Sequence, residues 1–208
     1  VPEQGTSAAA GPSVLRMLDA DMLPGESRRL LWVASETLYG SQLETPVYVI
    51  RGQQPGPTLC LTAAVHGDEL NGVEIVRQLV SDLDADTLHG TVIGVPIVNL
   101  LGFTRGSRYL PDRRDLNRYF PGNPRGSSAS RIAHSFFEGI VRHCDMLIDL
   151  HTGSLNRTNI AQIRANLKDP AVLEFKTRFG PTAVLHSRKL QGNLRSAATR
   201  ENIPAAAL

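Results

Sequence analysis

Residues 58–65 read TLCLTAAV, an almost uninterrupted apolar run that starts directly after the breaker cluster Gln53-Gln54-Pro55-Gly56-Pro57. A run of this length behind turn residues reads as a strand covered on both faces, and such a strand needs helices on either side of its sheet. The next segment supplies one. From Glu69 to Leu83 the apolar positions Leu70, Val73, Val76, Leu79, Val80 and Leu83 recur at steps of three and four, which predicts a helix. The alternation then continues: a strand over 91–98, a helix over 127–143 through Ile132, Phe136, Phe137 and Ile140, a strand over 145–150, a helix over 170–179, a strand over 182–186 and a helix over 190–201. Residues 203–208 open a further strand, and residues 28–35 and 46–51 predict two antiparallel strands ahead of the pattern. Strands and helices alternating in this way predict an α/β fold, a mixed, mostly parallel sheet flanked by helices.

A chain of 208 residues suits one domain with one core. Residues 1–27 read as a flexible lead-in and 28–208 as the domain, whose last strand lacks the residues and covering element that would complete it, so the fold reads as cut short. Lys+Arg 22 against Asp+Glu 20 leaves a net charge of +2, too small for the electrostatic footprint of a nucleic-acid binder. No apolar stretch approaches the roughly 20 residues of a membrane helix. Residues 1–14 lack the basic start and apolar centre of a signal peptide, and the missing initiator Met reads as a trimmed chain. Cys60 and Cys144 are too few for a disulfide scaffold and lie in or beside apolar runs, so they read as small buried thiols, with a reducing, cytoplasmic setting as the default.

Three pieces of sequence carry chemistry. The first is His66-Gly67-Asp68-Glu69, just past the run ending at Val65. Ligand sites in open α/β sheets lie beyond the carboxyl ends of the strands, and His66 and Glu69, three apart, share one side of a turn opening a helix. Taken alone, an H-x-x-E match is weak, because acidic residues suit a helix N-terminus anyway. The second is Asp149-Leu150-His151-Thr152-Gly153-Ser154, again at a strand end. Two His and one Glu leave an open position, a ligand set of catalytic zinc, and Asp149 has the composition of a group that orients a ligating imidazole. The third is the polar stretch 99–126, long enough without a period to read as a functional loop. Of its arginines, Arg113 and Arg114 read as surface partners of Asp112 and Asp115, whereas Asn117 and Arg118 offer donors matched to a carboxylate. His89, His134, His143 and His186 read as structural or surface residues.

The order HGDE, then RYLPDRRDLNRYFPG, then DLHTG resembles the succinylglutamate desuccinylase/aspartoacylase family, relatives of the zinc carboxypeptidases. The resemblance implies a zinc carboxypeptidase-like fold, one zinc ion per chain held by His66, Glu69 and His151, and a small carboxylate-bearing substrate gripped by Asn117 and Arg118. It also implies that Arg108 polarises the scissile carbonyl. The interval from Arg108 to Asp-Leu-Asn-Arg is longer than the family pattern, so Arg105 and Arg113 stand as alternatives. The family's general base, a Glu just beyond the strand at 203–208, is expected after Leu208, together with a β-rich C-terminal domain; Glu201 and Glu174 are poor replacements. The implied activity is zinc-dependent hydrolysis of an amide that deacylates an N-acyl amino acid or related small amine. Peptide hydrolysis by a metallocarboxypeptidase and non-catalytic binding of a metal or ligand are the competing readings. A nucleophilic hydrolase is disfavoured, since no G-x-S-x-G elbow is present.

Overall fold

The computed structural model describes residues 14–36, 39–155, 157–177, 182–187 and 191–208, with 175–177 described by backbone alone. Its centre is an eight-stranded mixed sheet. The strands are β3 (Ser27–Glu36), β4 (Gln42–Arg51), β5 (Gln54–Ala63), β6 (His89–Val95), β7 (Met146–Leu150), β8 (Gln162–Ala165), β9 (Ala183–His186) and β10 (Ala205–Ala207), in the order β3-β4-β6-β5-β7-β10-β8-β9. The four central strands β6, β5, β7 and β10 run parallel, while β3, β4 and the β10/β8 contact are antiparallel. The expected mixed α/β sheet is thus present, and the antiparallel pair read at 28–35 and 46–51 is β3/β4.

Alternation along the central strands divides the core. Cys60, Ile93, Val95 and Leu147 face one side, where they pack with Phe136 and Phe137 of α3 (Ser128–Gly139) and Leu194 and Ala197 of α5 (Leu194–Arg200). Leu61, Ala63, Val92, Ile148 and Leu150 face the other, against Val76 of α1 (Asn71–Asp82). Residues 60–63 of β5 and 147–150 of β7 are therefore buried on both faces, which is why these stretches are apolar apart from Thr62 and Asp149. The short helices α2 (Leu100–Phe103) and α4 (Pro170–Thr177) complete the described set.

The structure corrects three expectations. The lead-in ending at residue 27 contains a hairpin, β1 (Leu15–Met17) with β2 (Ala20–Met22), whose Met17 and Met22 are buried in the main core. Its turn places Leu18 and Asp19 at positive φ, the backbone twist that a two-residue hairpin loop requires. Residues 1–13 of that lead-in lie outside the described residues. The stretch 99–126 is partly ordered into α2 and a 3₁₀ turn at Leu116–Arg118. Finally, Cys60 and Cys144 are buried as expected but are not free thiols. They form a disulfide with Cα atoms 5.7 Å apart, joining β5 to the segment that leads into β7. The cysteines consequently give no support to a reducing compartment. No helix among the described residues is long and apolar enough to cross a membrane.

Candidate metal centre

β5 and β7 are adjacent and parallel, with Ala63 opposite Leu150, so whatever follows each strand emerges at the same edge of the sheet. His151 follows β7 directly, and His66 lies three residues past the end of β5. Between Ala63 and α1 the chain turns sharply: Ala64 has positive φ, and the Glu69 amide donates to the His66 carbonyl at 3.1 Å. This turn brings the Glu69 carboxylate back onto the imidazole three residues earlier. Gly67 permits it, since a Cβ there would meet the backbone carbon of Gly102 at 2.1 Å.

His66, Glu69 and His151 each present a ligand atom within 4.8 Å of the other two. His66 Nδ1 lies 2.9 Å from Glu69 Oε1, and His151 Nδ1 lies 2.7 Å from Glu69 Oε2. A tetrahedral zinc with bonds near 2.1 Å sets its donors about 3.4 Å apart, so each imidazole would stand roughly 0.5–0.7 Å farther from the carboxylate in a ligand shell than it does here. The outward nitrogens fit too. His151 Nε2 lies 2.7 Å from Asp149 Oδ2, and His66 Nε2 lies 3.2 Å from Asp115 Oδ1. Carboxylates behind ligating imidazoles fix the tautomer and raise ligand basicity. Asp149 is itself held by the Thr62 hydroxyl, which donates to Oδ1 at 2.8 Å across the β5/β7 pair. Glu69, Asp149 and His66 are all buried, and carboxylates so removed from water require a compensating cation.

Charges in the cluster set its titration. Burial acts to raise the Glu69 carboxyl, but the bonds from His151 and His66 outweigh it and hold the group well below the usual carboxylate range. Asp115 behaves in the same way, with burial overcome by His66, Arg108 and Arg118. For His151, burial favours the neutral ring, yet Asp149 and Glu69 on its two nitrogens raise it to about 10.

Of the three arginines considered for the carbonyl, the structure brings only Arg108 to the cluster. Its Nη1 donates to Ser154 Oγ at 2.7 Å and to Glu69 Oε1 at 3.2 Å, and its Nη2 to Asp115 Oδ2 at 3.1 Å. Arg105 and Arg113 are exposed and make no ion pair among the described residues. Asp115 is not the surface partner of Arg113 and Arg114 that its neighbours implied. Arg114 pairs with Asp112 at 2.5 Å, while Asp115 turns inward to His66 and Arg108. Asn117 is buried, and its Oδ1 accepts the Leu194 amide at 2.8 Å, so the donor that its side chain can offer a ligand is the NH2 group. Arg118 donates to the Asn117 carbonyl, reaches Asp115 only at 3.8 Å, and lines an open groove of ≈ 550 Å³ with Tyr119, Asn123, Gln191 and Arg200. Ser154 is the site neighbour that the sequence left without a role. Elsewhere, His186 accepts the Leu167 amide, a structural contact as expected.

A sequence profile of the succinylglutamate desuccinylase/aspartoacylase catalytic domain matches residues 55–208. The chain belongs to this family. It is 36% identical over 157 residues to the N-alpha-acetyl-L-2,4-diaminobutyric acid deacetylase of Halomonas elongata, a match covering 72% of this chain and 45% of that protein. It is 29% identical over 143 residues to the succinylglutamate desuccinylase of Pseudomonas aeruginosa, covering 62% of this chain and 39% of the other. The crystal structure of a succinylglutamate desuccinylase/aspartoacylase from Rhodobacter sphaeroides superposes with a TM-score of 0.74 at 26% identity, over 88% of this chain and 56% of that one. The chain thus spans less than half the length of these curated relatives, and the family and its zinc carboxypeptidase-like fold are shared over that span.

Proposed function

We propose that the protein is a zinc-dependent amidohydrolase that removes the acyl group from an N-acyl amino acid or related small amine. The observation that carries this reading is the triad: two imidazole nitrogens and one carboxylate gathered within 4.8 Å at the carboxyl ends of adjacent parallel strands, with an aspartate behind each imidazole. His66, Glu69 and His151 would hold one zinc ion, which when bound supplies a Lewis acid and lowers the pKa of water.

The chain's own residues then divide the remaining work. Asp149 and Asp115 keep the imidazoles oriented. Arg108, whose guanidinium stands beside Glu69 and is half-buried, holds the carbonyl oxygen as charge develops on it, a contribution of about 3 kcal/mol for one well-placed donor. The amide NH2 of Asn117 and the guanidinium of Arg118 grip the substrate's carboxylate, the latter from the wall of the groove. The general base expected after Leu208 would leave the sheet at this same end, because the Leu208 carbonyl accepts the His151 amide at 2.7 Å. Glu201 does not take that role, being bound to Arg142 at 2.6 Å on the surface. Relatives named for removing an acetyl and a succinyl group from amino acids support the substrate class.

The test is the metal content of the protein purified without chelator, beside Glu69→Ala and His151→Ala. The expected result is about one zinc per chain, as one catalytic site would hold, lost in both variants. Stoichiometric zinc retained in His151→Ala would sink the ligand assignment. Assays on N-acetyl and N-succinyl amino acids against short peptides then separate a deacylase from a carboxypeptidase.

A further inference from the structure

Glu69 and Arg108 are both assigned above, yet the group that holds them relative to one another is not. Ser154 is 6% exposed and lies in the segment that follows His151. Its hydroxyl donates to Glu69 Oε1 at 2.6 Å and accepts from Arg108 Nη1 at 2.7 Å. A hydroxyl has one hydrogen, so donating to the carboxylate while accepting from the guanidinium leaves it a single orientation. The other carboxylate oxygen is restrained from the same segment, where the Thr152 amide donates to Glu69 Oε2 at 3.1 Å.

The segment is held in place from outside the cluster as well. Arg157 Nε donates to the Ser154 carbonyl at 3.1 Å, and the Leu155 amide donates to Asp68 Oδ2 at 3.1 Å. Gly153 allows the chain to double back so tightly that a Cβ there would meet the Arg157 carbonyl oxygen at 2.1 Å. These bonds converge on Glu69 or on the loops that carry Asp68 and Ser154 to it.

We propose that Ser154 is a positioning residue, whose hydroxyl gives Arg108 Nη1 a nearer acceptor, at 2.7 Å, than Glu69 Oε1 at 3.2 Å, and so sets the metal affinity of the triad. Without that hydroxyl, Arg108 Nη1 keeps Glu69 Oε1, at 3.2 Å, as its acceptor here, and the guanidinium competes with the metal for the carboxylate. The inference rests on the triad being a zinc site, and the wild-type protein tests that part separately.

Zinc affinity is measured by competition with a chromophoric chelator for wild type, Ser154→Ala and Ser154→Thr, with the unfolding midpoint of each metal-free protein as the control for structure. Ser154→Ala is expected to bind zinc about 10–100-fold more weakly, the usual cost of removing a partner of a metal ligand, and Ser154→Thr, which keeps a hydroxyl, to stay close to wild type. In an Arg108→Ala background the Ser154→Ala loss should shrink, because the competing guanidinium is gone. Unchanged affinity in Ser154→Ala overturns the inference, as does an equal loss in Ser154→Thr or a full loss in the Arg108→Ala background. A lowered midpoint with unchanged affinity would make Ser154 merely structural and overturns it too. Wild-type protein that holds no zinc refutes the underlying site instead.

Discussion

Asp149 sits at 1% exposure with both carboxylate oxygens occupied, one by the Thr62 hydroxyl and one by His151 Nε2. Asp149→Asn keeps its shape but removes the charge behind the imidazole, and should weaken zinc binding about 10–100-fold, read by chelator competition. At the proposed site His151 would also make metal uptake a proton exchange. Raised to about 10, it is an imidazolium at pH 7 in the metal-free protein, and only the neutral ring can ligate. Zinc bound there would have to displace that proton, so its affinity is expected to rise as pH climbs toward the raised pKa and to fall as pH drops. Calorimetry in two buffers of different ionisation enthalpy should show proton release on binding; its absence would contradict the paired state of His151. At this scale His66, Glu69 and His151 were legible because strand ends mark them. Asp115 was not legible, since Arg113 and Arg114 beside it in sequence offered nearer partners than His66, 49 residues away.

Elements position these residues, and their tolerances are local. Gly67→Ala would drive a Cβ into backbone atoms of Gly102 and Phe103 at 2.1 and 2.2 Å, pushing the turn that carries His66 and Glu69 off α2. A cost of about 1–3 kcal/mol, typical of overpacking, and reduced zinc content are the expected outcomes, measured by urea unfolding and metal analysis. On the opposite face of the sheet, Phe136 of α3 is fully buried, 5.0 Å from the Trp32 ring and 6.2 Å from Phe120. Phe136→Ala should cost about 3–5 kcal/mol through the cavity it leaves, with zinc stoichiometry preserved in the folded fraction. Helices α1 and α3 were readable from spacing because each buries one stripe. The β1/β2 hairpin and β8 were not: LRM, ADM and QIRA mix charged or polar residues with apolar ones and lack the apolar run that marked the equally short β9 and β10, and the hairpin turn is made by Leu18-Asp19 rather than by glycine.

Across the whole molecule, the bond between Cys60 and Cys144 closes a loop with a sequence separation of 84 residues, so it restrains the unfolded chain far more than a local link would. Loop-closure entropy puts its contribution at about 4–5 kcal/mol, and reduction should lower the denaturant midpoint accordingly, with two alkylatable thiols appearing only after reduction. Two free thiols in the unreduced, denatured protein would refute the pairing. Residue order alone determined the alternation of buried strands and one-sided helices, and with it an α/β sheet having histidines where strands end. Those are local properties, carried by period and by the chemistry of short segments. Only the tertiary structure decided that β5 and β7 are neighbours, and this adjacency brings Glu69 to His151 across 82 residues. It likewise decided that Asp115 faces inward, that Arg108 rather than Arg105 or Arg113 reaches the cluster, and that two buried cysteines meet. A strand's sequence states which of its faces must be dry, whereas its neighbours are chosen by how all the covered faces pack at once.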